Sequence, residues 1–92
     1  MSSETFDALM NQQRFSAAGD LADQMKDRQP GNGYWWMASG RAMLALGRLQ
    51  EASENFDRAI RLMPMDSDLR YRERLSIIDL VAVLRQLIDY KS

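Results

Sequence analysis

Three features of this 92-residue sequence predict an all-α fold of about five helices. Apolar residues recur at helical spacing along nearly the whole chain. Only two prolines occur, Pro30 and Pro64, and they stand 34 residues apart. Set against itself at that offset, the chain pairs Leu9 with Met43, Gln13-Arg14-Phe15 with Gly47-Arg48-Leu49, Ala18 with Ala52, Asp20 with Glu54, Ala22 with Phe56 and Met25 with Ala59. A fixed period of this length is the signature of stacked repeat units.

The elements follow in order within a single domain. In a first, degenerate unit over residues 1–32, Phe6, Leu9 and Met10 form the inner stripe of one helix, and Ala18, Leu21, Ala22 and Met25 that of the next. Gly31-Asn32-Gly33 breaks the chain after Pro30 and opens a better matched unit over 33–66. There, Trp36, Gly40, Met43 and Leu44 share one face of a helix from Tyr34 to Leu46, which Gly47 stops as a C-cap. Leu49, Ala52, Phe56, Ala59, Ile60 and Met63 continue the period in a second helix that ends before Pro64. So short a turn makes the two helices antiparallel. Gly40 and Ala52 let their backbones approach, while Trp36, Met43 and Phe56 fill the space beside them. Met65-Asp66-Ser67-Asp68 then offers an N-cap to a last, longer helix within 67–90.

Composition narrows the chemistry. The chain has no cysteine and no histidine, so disulfides, thiolate nucleophiles, zinc-thiolate sites and histidine bases are excluded. Twelve basic against thirteen acidic residues give a formal net charge of -1, which makes no electrostatic case for nucleic-acid or membrane-surface binding. No signal peptide is expected in the segment from Met1 to Asp7, and the most apolar stretch, Leu75 to Ile88, carries Asp79 and Arg85 and is too short to span a bilayer. The expectation is a non-catalytic, cytoplasmic protein with no cofactor and no metal.

The run Trp36, Gly40, Met43, Ala52, Phe56, Ala59, Pro64, with Gly47 at the turn, resembles the tetratricopeptide repeat. Ser39 and Met43 depart from its Leu and Tyr positions. The first unit keeps Ala18 and Pro30 but has Phe6 where the pattern has Gly and Ala22 where it has Phe. The resemblance implies antiparallel hairpins wound into a short right-handed superhelix, closed by a capping helix. It also implies protein or peptide binding in a groove lined by the first helix of each unit. Carried over, the groove positions are Asp7, Met10 and Asn11, then Tyr34, Met37, Arg41 and Leu44. Small chaperone-like members that hold aggregation-prone helices are similar in size. The subtype that clamps an acidic C-terminus is not supported: its basic positions fall on Ser3, Asp7, Met37 and Arg41, and only Arg41 is positive.

The last helix carries two apolar faces. Ile77, Leu80, Val81, Leu84, Leu87 and Ile88 form the stripe expected to pack on the preceding helix. Tyr71, Leu75, Ile78 and Ala82 recur at i, i+4, i+7 and i+11 on another face. A terminal cap should be polar outside, and this one is not. In the repeat's register the second face falls on the groove side, giving a partner-binding groove of Met10, Tyr34, Met37, Arg41, Leu44, Tyr71, Leu75 and Ile78. Flexible methionine and amphipathic tyrosine suit an apolar or helical segment of a partner protein. The alternatives are a self-associating or structural unit of this repeat type without a separate ligand. That would be a homo-oligomer through the last helix, self-burial of this face in the chain's own groove, or part of a longer repeat protein.

Other clusters read as surface. Asp20, Asp23 and Asp27 form an acidic ridge whose carboxylates splay rather than converge on a metal. Glu51, Glu54, Asp57, Arg58 and Arg61 make a mixed solvated face. Arg70, Arg72 and Arg74 point in different directions on a helix, so no nucleic-acid contact is expected. Trp36 is expected in the core, and Trp35 packed against the first unit.

Overall fold

The computed structural model describes residues 2–62 and 68–91, with side chains described for 2–62 and 74–90. The described residues form five helices: α1 (Ser2–Asn11), α2 (Phe15–Arg28), α3 (Gly33–Ala45), α4 (Leu49–Leu62) and α5 (Asp68–Lys91). None of the described residues lies in a strand. Met63, Pro64 and the capping residues of 65–67 lie outside the described residues, as does the side chain of Tyr71.

The two short turns are built alike. Arg48 N–H donates to the Met43 carbonyl and Gly47 N–H to that of Leu44, with Gly47 at φ 78°. This double closure ends a helix on a residue in the left-handed region, where glycine has no Cβ to clash. In the first unit Arg14 N–H donates to Leu9 and Gln13 N–H to Met10, with Gln13 at φ 60°. Asn32 starts α3 as an N-cap, its Oδ1 accepting from Tyr34 N–H at 3.1 Å.

Each helix packs on the next in sequence. Gly19 lies against Ala42 and Met43, Asp23 bonds Ser39, and Asp57 pairs with Arg85, so α2 to α5 run antiparallel in turn. Consequently α3 and α5 run in the same direction. α3 is the central element: Trp35, Met37, Ala38, Ser39, Gly40, Ala42 and Met43 are all buried, covering most of its circumference. A Cβ on Gly40 would stand 2.7 Å from the Phe56 ring. Glycine here is required by the close approach of α3 and α4.

The tryptophans correct the expectation in one respect. Trp35 packs edge-on to Phe6 of α1, ring centroids 6.5 Å apart, and is 4% exposed. Trp36 is only half-buried; its Nε1 donates to the Pro30 carbonyl at 3.0 Å. Neighbouring residues on a helix point about 100° apart, so with Trp35 turned into the core against α1, Trp36 meets the α2 and α4 side chains instead. The stripe of α5 is likewise narrower than expected. Ile77, Val81 and Leu84 are buried, Leu80 and Ile88 half-buried, and Leu87 exposed, because one neighbouring helix covers only part of its circumference.

Candidate partner-binding groove

Met37 and Arg41 lie one helical turn apart on α3 and therefore face the same way. Opposite them, Ser76, Ile77 and Leu80 stand on α5, and Phe56 of α4 closes the floor. Together these six residues line an open cleft of about 440 Å³. Its lining is mainly apolar. Met37 and Phe56 are buried, whereas Arg41 is exposed at the rim and pairs with no other described residue. The cleft can take an apolar side chain and set an anionic group beside the guanidinium.

Of the groove residues expected from the sequence, Met37 and Arg41 come together here. Met10, Tyr34 and Leu44 are half-buried against the core, with the Tyr34 ring tilted at 40° to that of Trp35, centroids 4.8 Å apart. Leu75 and Ile78 do not line the cleft. They are exposed on another side of α5, and Ser76, Ile77 and Leu80 take the wall assigned to them. The cause is rotational: burying Ile77, Val81 and Leu84 against α4 turns Ser76 and Leu80 toward α3. Of the other two members of that face, Ala82 is exposed as well and the Tyr71 side chain lies outside the described residues.

A second depression, about 240 Å³, lies between α4 and α5 and is lined by Gln50, Ser53, Glu54, Asp57, Arg85, Ile88 and Asp89. Across it, Asp57 Oδ2 pairs with Arg85 at 3.3 Å, and the same oxygen lies 3.7 Å from Arg61 on its own helix.

A polar knot on α2, α3 and α4 escaped sequence reasoning. Lys26 Nζ donates to Asp23 Oδ1 at 2.9 Å, Asn55 Oδ1 at 2.9 Å and Ser39 Oγ at 3.3 Å, which uses all three ammonium protons. Ser39 Oγ in turn donates to Asp23 Oδ1 at 3.0 Å, so this buried hydroxyl is satisfied. The ammonium also lies 4.6 Å from the Trp36 ring centroid, and Arg58 lies 5.7 Å from it. Asp23 is thus no mere member of a solvated ridge. Its i, i+3 spacing to Lys26 was visible in the sequence; the partners on other helices were not.

Comparison of the chain with protein-family models, curated proteins and solved structures finds no significant match. The geometry is therefore the basis for any functional reading. Among the described residues no helix is long and apolar enough to cross a membrane, and no three His, Cys, Asp or Glu residues are grouped to hold a metal.

Proposed function

We propose that the chain is a non-catalytic protein-binding module of tetratricopeptide type, its hairpins wound in a short right-handed superhelix, acting in the cytoplasm as an adaptor or small chaperone. Its α3–α5 groove holds an apolar or helical segment of a partner protein. The observation that carries this reading is the open cleft with Met37, Phe56, Ile77 and Leu80 in its lining and, at its rim, Arg41, which pairs with no other described residue. An apolar surface left concave beside a solvated cation suits an amphipathic ligand better than it suits water. Methionine at the wall lets the pocket reshape around different apolar side chains. The 34-residue offset, kept in the twin turns at Gln13 and Gly47, supports the repeat reading.

Selection from a displayed library of amphipathic peptides tests the groove. Binders should shift the Met37 methyl resonance, and both Leu80→Glu, inside the cleft, and Arg41→Glu, which reverses the charge at its rim, should weaken them about tenfold or more. Peptides that bind both variants as well as the parent chain, or a library that yields none, would refute the proposal.

A further inference from the structure

All the exposed large hydrophobic side chains among the described residues, Leu75, Ile78, Val83, Leu87 and Tyr90, stand on α5, and they are 40% to 90% exposed. The helix packs mainly on α4, which leaves the side opposite Ile77, Val81 and Leu84 uncovered. At 100° per residue, an arc of about 100° centred on that open side holds six residues: Leu75, Asp79, Ala82, Val83, Gln86 and Tyr90. An arc of that width is what one helix presents to another.

These six are symmetric about the midpoint between Ala82 and Val83. Leu75 and Tyr90 are equidistant from it, as are Asp79 and Gln86, and Ala82 and Val83 themselves. In a two-fold antiparallel pair of helices, residues equidistant from the axis meet across the contact. Each meeting here is complementary: apolar Leu75 on the Tyr90 ring, the Asp79 carboxylate against the Gln86 amide N–H, and small Ala82 against branched Val83. Ile78 and Leu87 flank the contact on either side. Neither Asp79 nor Gln86 bonds to another described side chain, so both are free to pair.

We propose that α5 pairs antiparallel with α5 of a second copy of this chain, the two-fold axis passing between Ala82 and Val83. The Asp79–Gln86 pairs, one on each side of the axis, set the register, because a slip would strand a carboxylate against apolar side chains. The contact lies outside the α3–α5 cleft and does not rest on the groove reading. A dimer of this kind presents two clefts.

Sedimentation across a concentration series should show a monomer–dimer equilibrium. Gln86→Glu sets two carboxylates face to face and should weaken the dimer about tenfold or more. Adding Asp79→Lys to that variant should restore it, since Lys then meets Glu. Both positions are exposed, so the helical circular dichroism should stay unchanged throughout. Ala82→Cys introduces the chain's first cysteine beside its own copy and should give a disulfide-linked dimer under mild oxidation. A chain that stays monomeric throughout would leave this face to a different partner and overturn the proposal. A dimer indifferent to Gln86→Glu, or one that Ala82→Cys fails to cross-link, would equally overturn it.

Discussion

Gln13 and Gly47, 34 positions apart, hold the same place in the same turn, at φ 60° and 78°, each followed by an arginine whose N–H reaches back to the fifth residue before it. Only one of the two is a glycine. A side chain in the left-handed region costs on the order of 1 kcal/mol, partly offset by the greater unfolded-state freedom of glycine. Gln13→Gly is therefore expected to raise stability by roughly 0.5–1 kcal/mol, and Gly47→Gln to lower it by a similar amount. Urea denaturation with unchanged slope is the measurement; opposite signs at the two sites are the expected outcome.

The approach of α3 to α4 at Gly40 allows no added carbon. Gly40→Ala would place Cβ 2.7 Å from the rigid Phe56 ring, which is itself 1% exposed. Overpacking of this kind costs about 1–3 kcal/mol. Gly19→Ala meets the flexible end of Met43 at 3.1 Å and the Ala42 Cβ at an ordinary 3.5 Å, and should cost clearly less. Thermal melts of the two variants should separate in that order.

Lys26 separates from the acidic residues around it in sequence. Lys26→Met removes the donor common to Asp23, Asn55 and Ser39 and should destabilise by about 1–3 kcal/mol. Asp20→Ala and Asp27→Ala, both on the outer surface of α2, should each stay within about 0.5 kcal/mol of the parent. Chemical denaturation that found all three alike would remove the knot from the account of stability.

The two tryptophans should report different surroundings. With Trp36→Phe, the remaining Trp35 should emit at short wavelength and resist acrylamide quenching, because it is 4% exposed. With Trp35→Phe, the remaining half-buried Trp36 should emit to the red and be quenched readily. The same pair reads stability: Trp35→Phe opens a void beside Phe6, whereas Trp36→Phe gives up the hydrogen bond to Pro30 and the contact with two cations.

Much of the helical framework was legible in the sequence, because its causes are local. Pro30, the glycine after α3, and apolar spacing at 3.6 residues act through the backbone within a turn or two. The steric role of Gly40 was legible for the same reason: a glycine on the inner face, with Phe56 on the facing stripe, announces a close approach. Of the six residues lining the cleft, two stood among the groove positions expected from the sequence. Met37 and Arg41 needed only the register of α3, but the opposite wall depended on how far α5 rotates about its own axis.

That rotation belongs to tertiary structure. Residues one position apart on α5 differ by about 100°, so whether Leu75 and Ile78 or Ser76 and Leu80 form the wall of the cleft depends on the rotation of the helix about its own axis. The same holds for Trp35 and Trp36, where adjacent positions compete for one core site and packing against Phe6 decides. It holds again for Lys26, whose three acceptors lie on three helices and meet only once those helices are packed. The sequence by itself determined that basic and acidic residues nearly balance, that cysteine and histidine had no part, and that helical units recur at a 34-residue offset. Which apolar residues became core, cleft or open face was settled only by the packing of whole helices, because burial is a property of the neighbours a side chain finds rather than of the side chain alone.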